Sequence, residues 1–292
     1  MKNVSKIHFF TRNLCYIDVE LFHGDTNLNF KPFEELEFSD DFMFGKIMQN
    51  PEICAGVIER LLHIKVNRIE FPKLQNTIKP YYTSKGVRFD VYLKDSDRVF
   101  DIEIQTTTPV ALGKSMRYYQ SIIDMDSTMK GDDYSELKES YIIFICKTSP
   151  FSNFDLPVYT FKNTCVEDSS VSLDDKTLKA IYNSSAYEKE TDPELKSFLN
   201  FVCSNKAEDD FTEQIQNLVN QAKLMEANKT EYMNINIHEM DVRREAKKEG
   251  KIEAAQQLIE MNVLTDEQIS KATNLSIDQI LELKQKASET TS

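Results

Sequence analysis

The chain has 292 residues, long enough for one large domain or for one domain with an appended module. Its 40% hydrophobic and 28% charged residues fit a globular protein in water. No apolar run approaches the roughly 18 residues needed to cross a bilayer, and a net charge of −13 argues against a protein that simply coats nucleic acid.

The opening "MKNVSKIHFFTRNLCYIDVE" breaks its apolar residues with Thr11, Arg12 and Asn13, so it lacks a continuous signal-peptide core. A cytoplasmic location is expected. Residues 1–32 are weakly patterned and read as a peripheral extension. From Ser39 a helix is expected, with Ser39 as N-cap and with Asp40 and Asp41 favoured by the positive end of the helix dipole. Pro51 marks a second helical start, and Ile53, Val57, Leu61 and Ile64 line one face of it. Residues 66–82 hold short extended pieces around Pro72 and Pro80.

A hairpin follows. Val87, Phe89, Val91 and Leu93 alternate with Arg88, Asp90, Tyr92 and Lys94, the period of a half-buried strand. After the turn, Phe100, Ile102 and Ile104 alternate with Asp101, Glu103 and Gln105. Next come a helix over about 110–125, a helical stretch around "YSELKES", the apolar strand "YIIFIC" and a short strand at "PVYTF". The order of helix, strands, helix, strand predicts an α/β sheet with helices packed on it. Residues 167–194 read as loop, and 193–223 have helical spacing. Residues 226–250 read as a solvated helix. Thr265 with Gln268, and Ser276 with Gln279, have the spacing of capping boxes and predict two small terminal helices.

The hairpin carries the chemistry. If its turn is the pair Ser96–Asp97, Asp90 lies directly opposite Glu103, and directly opposed side chains have Cβ atoms about 5 Å apart. Gln105 projects from the same face as Glu103, whereas a one-residue slip would send Asp90 to the other side. Two carboxylates this close repel unless one is protonated or a cation sits between them. Magnesium suits such a pair, because it takes one or two carboxylates plus waters and phosphate oxygens. An edge hairpin with a polar solvent face has the same alternation, and spacing alone does not separate the two. Asp101 shares the Glu103 face and is expected to be peripheral.

Other ligand chemistry has less support. Cys15, Cys54, Cys146, Cys165 and Cys203 are scattered and form no paired motif, so zinc is not expected. Residues 73–117 carry eight Lys/Arg against five Asp/Glu, a locally positive stretch that suits phosphate.

At these residues the sequence resembles a known family. "KGVRFDVYLKDSDRVFDIEIQ" and "RYYQSIIDMD" are similar to the recombination-promoting nucleases of the PD-(D/E)XK superfamily, often labelled transposases. "FSDDFMFGKIM", "YIIFICKTSPF", "PVYTF" and the tail from "REAKKEGK" extend the likeness from about Phe33 to Gln285. The resemblance implies a restriction-endonuclease-like core, a mixed sheet flanked by helices, with an α-helical C-terminal extension. It implies division into an extension (1–32), a nuclease core (33–165), a helical completion of that core (166–225) and a charged helix with a small helix-turn-helix-like tail (226–292).

It also implies cleavage of DNA with Mg²⁺, Mn²⁺ or Ca²⁺ and a role in recombination. Asp90 and Glu103 would be metal ligands. Gln105 would stand where the wider superfamily has lysine, and Asp41 would complete the catalytic set. Lys85, Arg88, Lys114, Arg117 and Tyr118 would contact the substrate; of the adjacent Tyr118 and Tyr119, at most one is expected to face the cleft. Because glutamine lacks lysine's charge, a weak or inactive nuclease-like module that binds DNA or protein is the competing expectation. DNA is the expected partner, and a homodimer would be the simplest way to cut both strands. Capping signals and balanced charge make packing or self-association the expected role of the tail.

Overall fold

The computed structural model describes residues 30–66, 69, 73–74, 77–78, 87–88, 90–107, 111–127 and 133–290, with side chains left out at 73–74, 77–78, 87–88 and 288–290. Residues 1–29, Lys85 and Phe89 lie outside them. The described chain contains a six-stranded mixed sheet flanked by helices and followed by C-terminal helices. This is the α/β architecture expected from the sequence.

The helices on the first part of the chain start where local chemistry directs them. Helix α1 spans Asp41–Ile47 and α2 spans Pro51–Leu62. Asn50 caps α2 by accepting the backbone N–H groups of Glu52 at 2.9 Å and Ile53 at 3.3 Å, and Pro51 fills the first position, where no N–H is needed. The expected cap of α1 is corrected by one residue. Asp40 holds the N-cap position, but its carboxylate accepts Glu37 N–H and Lys31 Nζ instead. Ser39 is buried and faces Glu37.

The strands β1 (Lys73–Leu74), β2 (Thr77–Ile78) and β3 (Val87–Arg88) are short. Strand β4 covers Val91–Asp95 and β5 covers Arg98–Gln105. The expected single strand from Val87 is therefore interrupted: β3 pairs with β2 in a separate two-stranded sheet, and β4 begins after a bend at Asp90. The turn is Ser96–Asp97, with Ser96 at φ 46°, and the register pairs Val91 with Ile102 and Asp95 with Arg98. This is the register deduced from turn length.

After β5 come helix α3 (Leu112–Ser127), a single 3₁₀ turn at Tyr134–Glu136 and strand β6 (Glu139–Cys146). The helix expected at "YSELKES" is thus reduced to one turn, because Glu139 and Ser140 pair with β5. Strand β7 covers Val158–Phe161 and β8 covers Thr177–Asn183. The segment read as loop over 167–194, and assigned to a helical completion over 166–225, thus contains a strand. It lies between β6 and β7 in the order β1-β4-β5-β6-β8-β7. Strands β5, β6 and β8 run parallel; the other ladders are antiparallel.

Each face of the sheet is covered. On one, Leu112, Met116, Ile122 and Ile123 of α3 pack on Tyr92, Val99, Ile142, Phe144 and Ile181. On the other, the Tyr182 hydroxyl donates to the Leu61 carbonyl at the end of α2, and α1 touches β5. Helix α4 (Pro193–Ser204) packs on α2, and its Phe198 and Phe201 join Phe38 and Phe44 in an aromatic cluster. Helix α5 (Asp210–Leu224) is started by a capping box of Asp209 and Thr212.

Two compact units divide the chain, one over Lys31–Tyr232 and one that includes Met233–Ser292. Helix α6 (Glu226–Met261) is mostly exposed. In the second unit its C-terminal part meets α7 (Asp266–Thr273) and α8 (Ile277–Thr290) around Ala255, Ile269, Leu275 and Ile280. Both expected capping boxes form: Thr265 with Gln268, and Ser276 with Gln279.

One glycine in the first unit is fixed by packing. A Cβ on Gly56 of α2 would collide with the Phe211 ring, which also stacks under the Arg60 guanidinium at 3.7 Å. Alanine in a helix interior normally gains about 1 kcal/mol over glycine, whereas overpacking costs about 1–3 kcal/mol. The steric loss should win, so Gly56→Ala is expected to lower the urea midpoint of unfolding; a raised midpoint would contradict this packing.

Candidate active site

The site grows out of the bend before β4. Register places Asp90 opposite Glu103, and each carboxylate accepts a backbone N–H from the facing strand. Asp90 N–H donates to Glu103 Oε1 at 2.9 Å, and Ile104 N–H donates to Asp90 Oδ2 at 3.0 Å. Where the regular ladder stops at Val91, side-chain carboxylates thus accept bonds that strand carbonyls would otherwise take. Chain geometry therefore holds both acids beside each other on the face covered by α3.

Burial rises steeply along that face. Gln105 and Asp90 are partly exposed, Glu103 is 3% exposed and Asp101 is 0% exposed. The reading of this hairpin as a polar edge is thereby corrected, because β5 lies between β4 and β6 and α3 lies over its acidic face. Asp101 is corrected too: it is not peripheral but forms the inner end of the row. Neither of its carboxylate oxygens accepts a backbone N–H or a basic side chain among the described residues; its side-chain partner is the Glu103 carboxyl.

The electrostatics follow from this crowding. Burial, above all, and then the charges of Asp101 and Asp90 push the Glu103 carboxyl well above the ordinary carboxylate range. Burial likewise raises the Asp101 carboxyl, with Asp90 adding to it, and contact with Glu103 is close enough for a shared proton. Tyr119 is the aromatic residue of α3 on which these acids act. Burial first, then Glu103, Asp101 and Asp90, disfavour its phenolate. It also packs against Phe144. Tyr118, the tyrosine proposed from sequence for substrate contact, is partly buried against the same core cluster.

The other sequence-derived residues are spread around this row. Asp41 is the exposed first residue of α1, across the sheet from α3. Lys114 and Arg117 are exposed on α3. At about 100° per residue, Lys114 is about 200° round the helix from both Leu112 and Met116, which face the sheet, so it points away from the acids. Lys85 and the Arg88 side chain lie outside the described residues.

Sequence reasoning missed Lys147 and Glu37. Lys147 N–H donates to the Gln105 carbonyl at 2.8 Å, while its Nζ holds Glu37 at 2.7 Å and Ser39 Oγ at 3.1 Å. The parallel pairing of β5 and β6 creates that proximity, and no local motif announces it.

Among the described residues no set of three His, Cys, Asp or Glu side chains is arranged as a ready-made cation cage. Magnesium does not need one, since one or two carboxylates and waters suffice. The fully buried Asp101 oxygens meet the Glu103 carboxyl and no basic group, a crowding of acids that a proton or a cation can relieve. The residues present therefore fit a hard divalent cation.

With this geometry in place, comparison with known proteins finds a family likeness for part of the chain. Residues 38–156, from the start of α1 to the loop after β6, match the family model described as PD-(D/E)XK nuclease family transposase. That family's restriction-endonuclease-like fold agrees with the mixed sheet and flanking helices seen here. No curated protein and no solved structure matches the chain. No helix among the described residues is long and apolar enough to cross a membrane.

The raised carboxyls have a consequence for stability. The folded state keeps protons that the unfolded chain releases near pH 4, so stability falls as pH rises from there toward the folded values. In cation-free buffer the thermal midpoint should be lower at pH 8 than at pH 5.5, and Glu103→Gln should flatten that decline. An equal decline in both proteins would refute the buried-acid assignment.

Proposed function

We propose that this chain, which carries a PD-(D/E)XK nuclease family transposase domain in residues 38–156, is a divalent-metal-dependent DNA endonuclease that promotes recombination or mobile-element transfer. The observation that carries this reading is the Asp90–Glu103 pair, joined across two strands and set beside the buried Asp101.

Asp90 and Glu103 would hold the cation, with Mg²⁺ the best fit to their hard oxygens and Mn²⁺ or Ca²⁺ able to replace it. A cation bound there would lower the pKa of a coordinated water and offset charge on the phosphoryl group. Gln105, at the open end of the row, can accept a hydrogen bond from the attacking water through its carboxamide oxygen and donate one to a phosphate oxygen through its amide. It supplies no charge, so cations of the locally basic stretch, among them Lys85, Arg88 and Arg117, would balance the phosphate. Tyr119 closes the inner wall against water, and Asp41 would support the site from the start of α1.

Gln105 and the net charge of −13 favour a second reading, binding of DNA or a protein without cleavage. Plasmid DNA separates the two. The endonuclease reading expects nicking that needs Mg²⁺ or Mn²⁺ and falls at least 100-fold in Asp90→Ala and in Glu103→Ala. Full cleavage by both variants would sink the site assignment. Metal-independent DNA binding with no cleavage at any cation concentration would establish the second reading. Lys85→Ala with undiminished cleavage would remove Lys85 from the phosphate-balancing set.

A further inference from the structure

We infer that Asp101 is a positioning residue of the cation site, supplying a third negative charge and a water acceptor behind Asp90 and Glu103. This rests on the cation site proposed above and adds a residue to it.

Asp101 sits in the middle of β5, on the central ladder of the sheet, with no exposure to solvent. A buried charge without a donor is among the costliest arrangements a protein interior can hold. Structural acids escape that cost by capping a helix, pairing with a cation or accepting backbone N–H groups. Asp101 does none of these among the described residues; its side-chain partner is the Glu103 carboxyl, another acid, with which it can only share a proton. Tyr92, directly opposite on β4, turns its hydroxyl to Asp126 at 3.1 Å. Val99, two residues earlier on the same face, and Ile142, its pairing partner on β6, are apolar core residues that an apolar side chain would complement better.

What does face Asp101 is the acid pair. It stands two residues before Glu103 on the same side of β5, about 6.6 Å along the strand, and lies within electrostatic reach of Asp90. The three acids do not form a ready-made cage, so Asp101 is suited to act one shell out. Its carboxylate would accept a hydrogen bond from a water on the cation, and its charge would strengthen cation binding through the low-polarity interior. An arrangement of this kind lowers stability without the cation and recovers it on binding.

The test uses the full chain and Mn²⁺, followed by titration calorimetry and thermal unfolding. Asp101→Asn keeps the shape and removes the charge. It is expected to raise the thermal midpoint in cation-free buffer, to weaken Mn²⁺ binding at least tenfold and to shrink the stabilisation that Mn²⁺ gives. A purely structural role predicts the reverse, a lower midpoint with Mn²⁺ affinity retained, and affinity within twofold of the parent would overturn the inference. If Asp101→Asn does not fold, Asp101→Leu is read in the same way, and failure of both to fold also overturns it. Absence of Mn²⁺ binding in the parent protein would instead defeat the proposed cation site itself.

Discussion

The position of β5 governs the rest of the molecule. It is hydrogen-bonded to β4 on one side and to β6 on the other, α3 covers one of its faces, and α1 touches it. Alternate residues of one strand must point to opposite faces, so Phe100, Ile102 and Ile104 are buried with the helices on one side. Asp101 and Glu103 are then forced beneath α3 on the other. A surface strand could carry the same letters at no cost. At the centre of a covered sheet they leave negative charge in a low-dielectric interior, where only a proton or a cation can relieve it.

The bend at Asp90 is the second half of that arrangement. Had β4 continued regularly from Val87, the Asp90 and Glu103 carboxylates would have remained side chains above a ladder. Instead the ladder ends at Val91, and each acid accepts a backbone N–H across the gap. Those bonds tie the two carboxylates to the backbone of the facing strand. They also leave the end of β5 open where Gln105 becomes partly exposed. The row is fully buried at Asp101 and partly exposed at Gln105. Helix α3 covers the inner end, with Tyr119 packed on Phe144 and its phenol within electrostatic reach of the acids.

Legibility differed by residue. The turn Ser96–Asp97 and the alternation on both sides of it determined which acids would meet, because antiparallel register follows from turn length alone. The capping pairs Thr265–Gln268 and Ser276–Gln279 were equally readable, since each bond joins residues three apart. Strand β8 was not readable. Its apolar residues Leu178, Ala180, Ile181 and Tyr182 form a short run without alternation, and its pairing partner β6 lies more than 30 residues earlier. Lys147 and Glu37 likewise meet across 110 residues.

The sequence by itself determined the capping pairs, the hairpin register and the pairing of Asp90 with Glu103, because these depend on period and on contacts a few residues apart. Only the tertiary structure decided that the hairpin is central rather than an edge, that Tyr119 faces the acids, and that Asp101 belongs with them. Those outcomes depend on what covers each face, and coverage comes from α3, β6 and β8, brought together from distant parts of the chain. An acid exposed on an edge and an acid sealed under a helix read identically in sequence. Their burial, and with it their chemistry, is a property of the assembled sheet.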